Sequence, residues 1–197
     1  MPSATPLLPA SPTLVYKKPT LSNTEGGKRY TPTHPDLLRV VFESSIQGEG
    51  FSSRLVAVRD IPPNSLVAPL TNITQAPTKA YSSVQYGASS RDHLELNSDL
   101  LFMNHSCAPS VYMNVSSRHP ADWQVVTGDD GLKEGQDITF FYPSTEWDMA
   151  QGFDCSCGAE ECLQRIQGAK YISLDDLEKR GWVNEHIRRM KEAQESP

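Results

Sequence analysis

Three of the four cysteines in this chain of 197 residues fall within eight positions, as Cys155-Ser-Cys157-Gly-Ala-Glu-Glu-Cys162, and the fourth, Cys107, stands far upstream. Core packing gives no reason to crowd three thiols onto one short loop. Zinc does, because a structural site takes four soft ligands in a tetrahedron and often joins a local cluster to one distant residue. The competing readings are buried free thiols and a disulfide, and disulfides are rare in reducing compartments. The spacing predicts a structural zinc held by Cys107, Cys155, Cys157 and Cys162. Four sulfur ligands leave no open position, so such an ion folds the segment around it and does not activate water.

Fifteen prolines against twelve glycines argue against a long helical bundle, since proline lacks the amide donor and its ring clashes with the preceding turn. Short strands and loops are expected instead. A net charge of −6 offers no clustered cations, so direct nucleic-acid binding is not expected. No apolar run approaches the roughly 20 residues that cross a bilayer. The opening stretch lacks the basic and continuous apolar regions of a secretory signal. The expectation is an intracellular protein with no membrane association, in cytoplasm or nucleus.

Seven of the fifteen prolines lie at or before Pro35, and residues 1–36 read as an extended arm, with Thr13-Leu14-Val15-Tyr16 able to add an edge strand. Leu37–Phe42 and Arg54–Val58 predict two strands about the Gln47-Gly48-Glu49-Gly50 turn. Further strands are expected over Ser65–Ala68, Tyr112–Val115, Trp123–Thr127 and, most strongly, Asp137–Tyr142. A short helical segment is possible around Thr78–Gln85. Ser173, with Asp176 three residues on, predicts a capped helix that stops at Gly181, and a second helix follows from about Val183 to Gln194.

Three motifs occur in a fixed order. Gly48-Glu49-Gly50 precedes a strand and the Arg59-Asp60-Ile61-Pro62 turn; Asn104-His105-Ser106-Cys107-Ala108-Pro109 comes next; Asp137-Ile138-Thr139-Phe140-Phe141-Tyr142 then leads into the cysteine cluster. Each is modest alone. In this order they resemble the SET domain of protein-lysine methyltransferases with its post-SET zinc segment, and the chain is similar to small stand-alone fungal SET proteins. The resemblance covers about residues 37–168. It implies a mainly β fold of several small sheets with a C-terminal pseudoknot, a SET domain over 37–150 and a post-SET zinc segment over 151–168; the two helices read from the residues beyond make 169–197 a helical tail.

By the same resemblance, S-adenosyl-L-methionine is expected against the Gly48-Glu49-Gly50 backbone, Asn104 and His105, with Tyr142 as the catalytic residue and Phe140 in the substrate channel. Methyl transfer needs a neutral amine, and lysine has a reference pKa of about 10.4, so the amine must shed a proton in a narrow, partly desolvated channel. Taken alone, the glycine pair reads as a hairpin turn, His105 as a core histidine and Tyr142 as a strand tyrosine. Trp147, Phe153 and Trp182 read as core aromatics or as a wall over the site.

The sequence departs from the motif at Ser110, where the fuller pattern has Asn, and at Ala68-Pro69-Leu70-Thr71-Asn72, where a Tyr-x-Gly substrate wall is absent. Three functions compete. One is transfer to a lysine of a protein or peptide; another is a SET fold recruited as a small-molecule tailoring enzyme or cyclase; the third is a non-catalytic binding module, which the retained site residues disfavour.

Overall fold

The computed structural model describes residues 6–20, 30–44 and 51–195. Apolar residues at every second position build its first hairpin. Strand β1 (Leu38–Ser44) pairs antiparallel with β2 (Phe51–Ala57), from Leu38 opposite Ala57 to Ser44 opposite Phe51. Leu38, Val40, Leu55 and Ala57 are buried on one face, as the twofold alternation of a half-buried strand requires.

Two three-stranded sheets complete the main core. In one, β9 (Gln124–Thr127) lies between β3 (Leu66–Pro69) and β8 (Val111–Asn114). Val111, Met113 and Val125 point inward and have no exposed surface. In the other, β6 (His93–Leu96) lies between β4 (Ile73–Gln75) and β5 (Val84–Gln85). Trp123 is buried beside Tyr86, with ring centroids 5.2 Å apart, and joins the two sheets.

The pairing that matters most for the site is only two residues long. Strand β7 (Asn104–His105) runs parallel to β10 (Thr139–Phe140), so segments 35 residues apart lie side by side. The expected strand over Asp137–Tyr142 is thus a joint between three elements. Asp137 bridges to Val56, Ile138 N–H donates to Leu55 at 2.8 Å, and only Thr139 and Phe140 pair with β7. Pro143 has no amide donor, and the chain turns into a 3₁₀ segment at Tyr142–Ser144. Ser110 stitches this joint: its Oγ donates to the Asp137 carbonyl and accepts from Thr139 N–H, both at 2.9 Å.

No helix forms around Thr78–Gln85; Ser83 Oγ closes a turn on Ala80, and Val84–Gln85 enter the sheet as β5. Thr13–Tyr16 form no strand. The arm is held mainly by side chains instead, with Asn72 bonded to both the N–H and the carbonyl of Leu14, and Asp99 bonded to Tyr16 and Thr33; one backbone bond, from Gln75 N–H to the Pro9 carbonyl, adds to them. Asp99 begins the 3₁₀ segment Asp99–Phe102 and is fully buried.

Beyond the joint, β11 (Phe153–Asp154) pairs antiparallel with β12 (Arg165–Ile166), and helices α1 (Leu174–Glu178) and α2 (Glu185–Glu195) follow. Ser173 caps α1 by accepting from Asp176 N–H at 3.1 Å, and Gly181 with φ +107° ends this region, as the sequence predicts. A second core cluster of Phe141, Ala169, Leu177, Val183 and Ile187 attaches the tail. Asn184 fixes it. The side chain donates to the Met113 and Ser144 carbonyls and accepts from Val115 N–H, at 2.8, 3.0 and 2.8 Å, with no exposed surface.

Replacing Asn184 by Asp keeps the acceptor but turns two donors into a carboxylate facing carbonyls. Because buried polar groups left without partners cost about 1–3 kcal/mol each, Asn184→Asp is expected to lower stability by about 3 kcal/mol in urea denaturation. A change below about 0.5 kcal/mol would count against this attachment.

Candidate functional site

Cys107 follows β7 by two residues, and the loop between β11 and β12 carries the other three thiols. Their sulfurs all lie within 4.8 Å of one another, and no disulfide joins them. A zinc with Zn–S of about 2.3 Å needs sulfurs about 3.8 Å apart, so the four thiols fit the ion with a small contraction. Backbone donors support the set: Leu163 N–H reaches Cys107 Sγ and Gln164 N–H reaches Cys162 Sγ, each at 3.4 Å. Burial pushes the Cys155 thiol up to about 12. Burial also raises Cys157, but hydrogen bonds from the Cys107 and Ala159 backbone and from the Cys155 and Cys162 thiols outweigh it and hold Cys157 at about 6. A thiolate is therefore available as a ligand. Arg180 donates to the Glu161 carbonyl at 2.9 Å, tying the loop to the end of α1.

His105 links this cluster to Tyr142. Its Nδ1 accepts from Tyr142 N–H at 3.2 Å, which leaves the ring proton on Nε2, 3.4 Å from Cys107 Sγ. Burial depresses the imidazole pKa to about 4, so the ring is neutral at physiological pH. Phe141 and Phe153 pack around it at 5.6 and 5.7 Å between ring centroids. Both nitrogens of His105 are thus engaged by the protein itself.

Tyr142 stands where two cavities meet. One, of about 420 Å³, is lined by Lys18, Phe42, Ser53, Phe102, Asn104 and Tyr142 among others, a size common for small-molecule sites. Asn104 is exposed at its edge and donates to the Ser53 carbonyl at 2.8 Å. Lys18 Nζ sits 5.7 Å from the centre of the Phe102 ring, placing a cation there. The other cavity is narrow, about 50 Å³, with Leu96, Leu100, Met103, Phe140, Tyr142 and Glu146 on its wall. Tyr81, Ser82 and Leu101 line both. The Tyr142 hydroxyl donates to the Met103 carbonyl at 3.0 Å. Burial, and secondarily Glu146, push its pKa up to about 12, so it stays a phenol.

The structure brings Asn104, His105, Phe140 and Tyr142 together beside the four cysteines. Gly48, Glu49 and Gly50 lie outside the described residues. Of the three further aromatics, Phe153 reaches the site, 6.1 Å from Tyr142 between ring centroids. Trp147 packs with the C-terminal cluster and Trp182 is 42% exposed. Sequence reasoning missed Met103, Lys18 and Glu146. For Glu146 a signal exists, an acid directly before Trp147 and four residues after Tyr142, one helical turn away.

Comparison with known proteins gives this geometry a class, the methyltransferases. The methyltransferase flvH of Aspergillus flavus is 38% identical over 157 residues, covering 80% of this chain and 82% of that protein. The chain belongs to that methyltransferase family. The histone-lysine N-methyltransferase ash1 of Drosophila melanogaster is 29% identical over 77 residues, 39% of this chain but 4% of that protein. No protein-family model matches the sequence. No helix among the described residues is long and apolar enough to cross a membrane.

The cysteine set predicts about one zinc per chain in purified protein by elemental analysis. Cys107→Ser is expected to lose most of it and to lower the melting temperature by about 10 °C, the shift that a loss of about 3 kcal/mol gives at this size. Full stability in a metal-free wild-type preparation is the contrary result.

Proposed function

We propose that this chain is a SET-type methyltransferase that carries the methyl group of S-adenosyl-L-methionine to a lysine side chain of a protein or peptide. The reading rests on one observation: Tyr142 lines both a wide cavity beside Asn104 and a narrow one beside Phe140. Donor and amine would enter from the two sides and meet at the phenol.

When bound, S-adenosyl-L-methionine supplies an electrophilic methyl group on a sulfonium. Asn104, the Gly48-Glu49-Gly50 segment and the backbone at His105 would hold it, with Lys18 available to its carboxylate. Tyr142 remains protonated and gives its hydrogen to Met103, which leaves the oxygen lone pairs to accept an amine N–H and orient the nitrogen. Phe140 and Leu100 exclude water and confine the approach to one line, and such positioning supplies much of the acceleration in a displacement reaction. The His105 ring is a positioning element for the Tyr142 backbone. Phe140 has no hydroxyl to hold a water, which leaves space for more than one methyl group.

A small-molecule amine is the second reading, favoured by the absent Tyr-x-Gly element. Where such a wall is expected, Asn72 binds the chain's own arm at Leu14, and Gln75 N–H donates to Pro9 at 2.9 Å.

Isothermal calorimetry with S-adenosyl-L-methionine and transfer of a labelled methyl into a cell lysate test both readings. Label is expected in the protein fraction for the first and in the low-mass fraction for the second. Tyr142→Phe is expected to reduce kcat/KM by roughly 10²-fold while leaving donor affinity within about threefold. No donor binding at millimolar concentration by zinc-loaded protein would defeat the proposal.

A further inference from the structure

Glu146 is a carboxyl group set into an apolar wall. It is 8% exposed and lines the narrow cavity with Leu96, Leu100, Met103, Phe140 and Tyr142. Its Oε1 accepts from Gln85 N–H at 2.6 Å, and Thr145 Oγ1 lies 3.4 Å away. Among the described residues, Oε2 takes no hydrogen bond. The cation facing it is Lys79, from the segment before β5, and that ammonium is engaged by the Asp148 carbonyl. Tyr142, on the same turn, is a neutral phenol. From α2, His186 is buried with its Nε2 against the Thr145 carbonyl at 2.8 Å, and burial keeps it neutral.

Pinning β5 does not require an acid. A glutamine accepts from Gln85 N–H equally well and carries no charge to desolvate. A carboxylate here is costly unless an opposite charge arrives. The cavity, about 50 Å³, has space for about four water-sized groups, which admits a short unbranched alkyl arm ending in nitrogen and little more.

We propose that Glu146 Oε2 receives the substrate's ammonium group in the narrow cavity and removes one of its protons, so that the substrates are primary or secondary alkylammonium ions on a thin, unbranched arm. This deepens the methyltransferase reading and rests on it. One N–H bond breaks and one O–H bond forms; the bonding pair stays on nitrogen as the lone pair needed for attack. A carboxylate and an ammonium become an acid and an amine, and a neutral pair suits a low-dielectric wall better than an ion pair. Burial has already pushed the Glu146 pKa up to about 7, into the range of a working base near neutral pH. The raised value also fixes the sign of the pH effect. Above about pH 7 the carboxylate is present and the ammonium binds; below it the acid form has no charge to offer.

The test uses the zinc-loaded full chain and two probes of matched shape, n-butylammonium and 1-butanol, followed by NMR titration. At pH 8 the wild-type protein is expected to bind n-butylammonium about tenfold tighter than 1-butanol, and this preference is expected to fall severalfold at pH 6. Glu146→Gln should erase the preference at both pH values, and Glu146→Asp should keep part of it. The same ammonium preference in Glu146→Gln as in the wild type overturns the proposal. If Glu146→Gln does not fold, a preference that is flat between pH 6 and 8 in the wild type overturns it. Calorimetry with S-adenosyl-L-methionine separates the two readings: donor binding without an ammonium preference sinks the role of Glu146 alone, and an ammonium preference without donor binding sinks methyl transfer.

Discussion

A neutral imidazole held between a backbone amide and a sulfur sets the geometry of this protein's site. His105 takes the Tyr142 amide on one nitrogen and faces Cys107 with the other, so Tyr142 and the cysteine cluster share one ring. The ring cannot charge at neutral pH, because burial holds its pKa at about 4. A charged ring would carry a proton on Nδ1 and could no longer accept from Tyr142. The parallel pairing of β7 with β10 brings these residues into range, and Ser110 closes the joint from the other side.

Much of this was legible in the sequence because its signals are chemical and local. Three cysteines in eight residues announced a ligand loop, and the lone upstream cysteine was its natural partner. Their sulfurs do converge. The Ser173 cap and the Gly181 stop were readable for the same reason, since each depends on a few consecutive residues. Strands β1 and β2 were readable as two runs rich in β-branched and large apolar residues.

What escaped was decided by distant partners. Asp137–Tyr142 reads as one strand, yet the Ile138 amide goes to β2, that of Thr139 to Ser110 and that of Tyr142 to the His105 ring, while the Phe141 and Tyr142 carbonyls serve a 3₁₀ turn. The arm reads as an extended segment able to add an edge strand, yet Asp99 and Asn72, both more than fifty residues away, hold it with side-chain hydrogen bonds. Glu146 passes as a surface acid until the wall around it is known. Ser110 looked like a lost partner in the motif; in the structure its hydroxyl serves both Asp137 and Thr139.

The distance along the chain between Cys107 and the other three thiols has a consequence for biosynthesis. Cys155 follows Cys107 by 48 residues, which at usual rates of translation is a delay of about 2–10 s. Throughout that interval the first sulfur has emerged from the ribosome and its companions have not. A nascent chain therefore carries the whole of β7 and most of the three-stranded sheets before the four sulfurs can meet, and the cysteine loop, made later, closes on what the earlier residues have outlined.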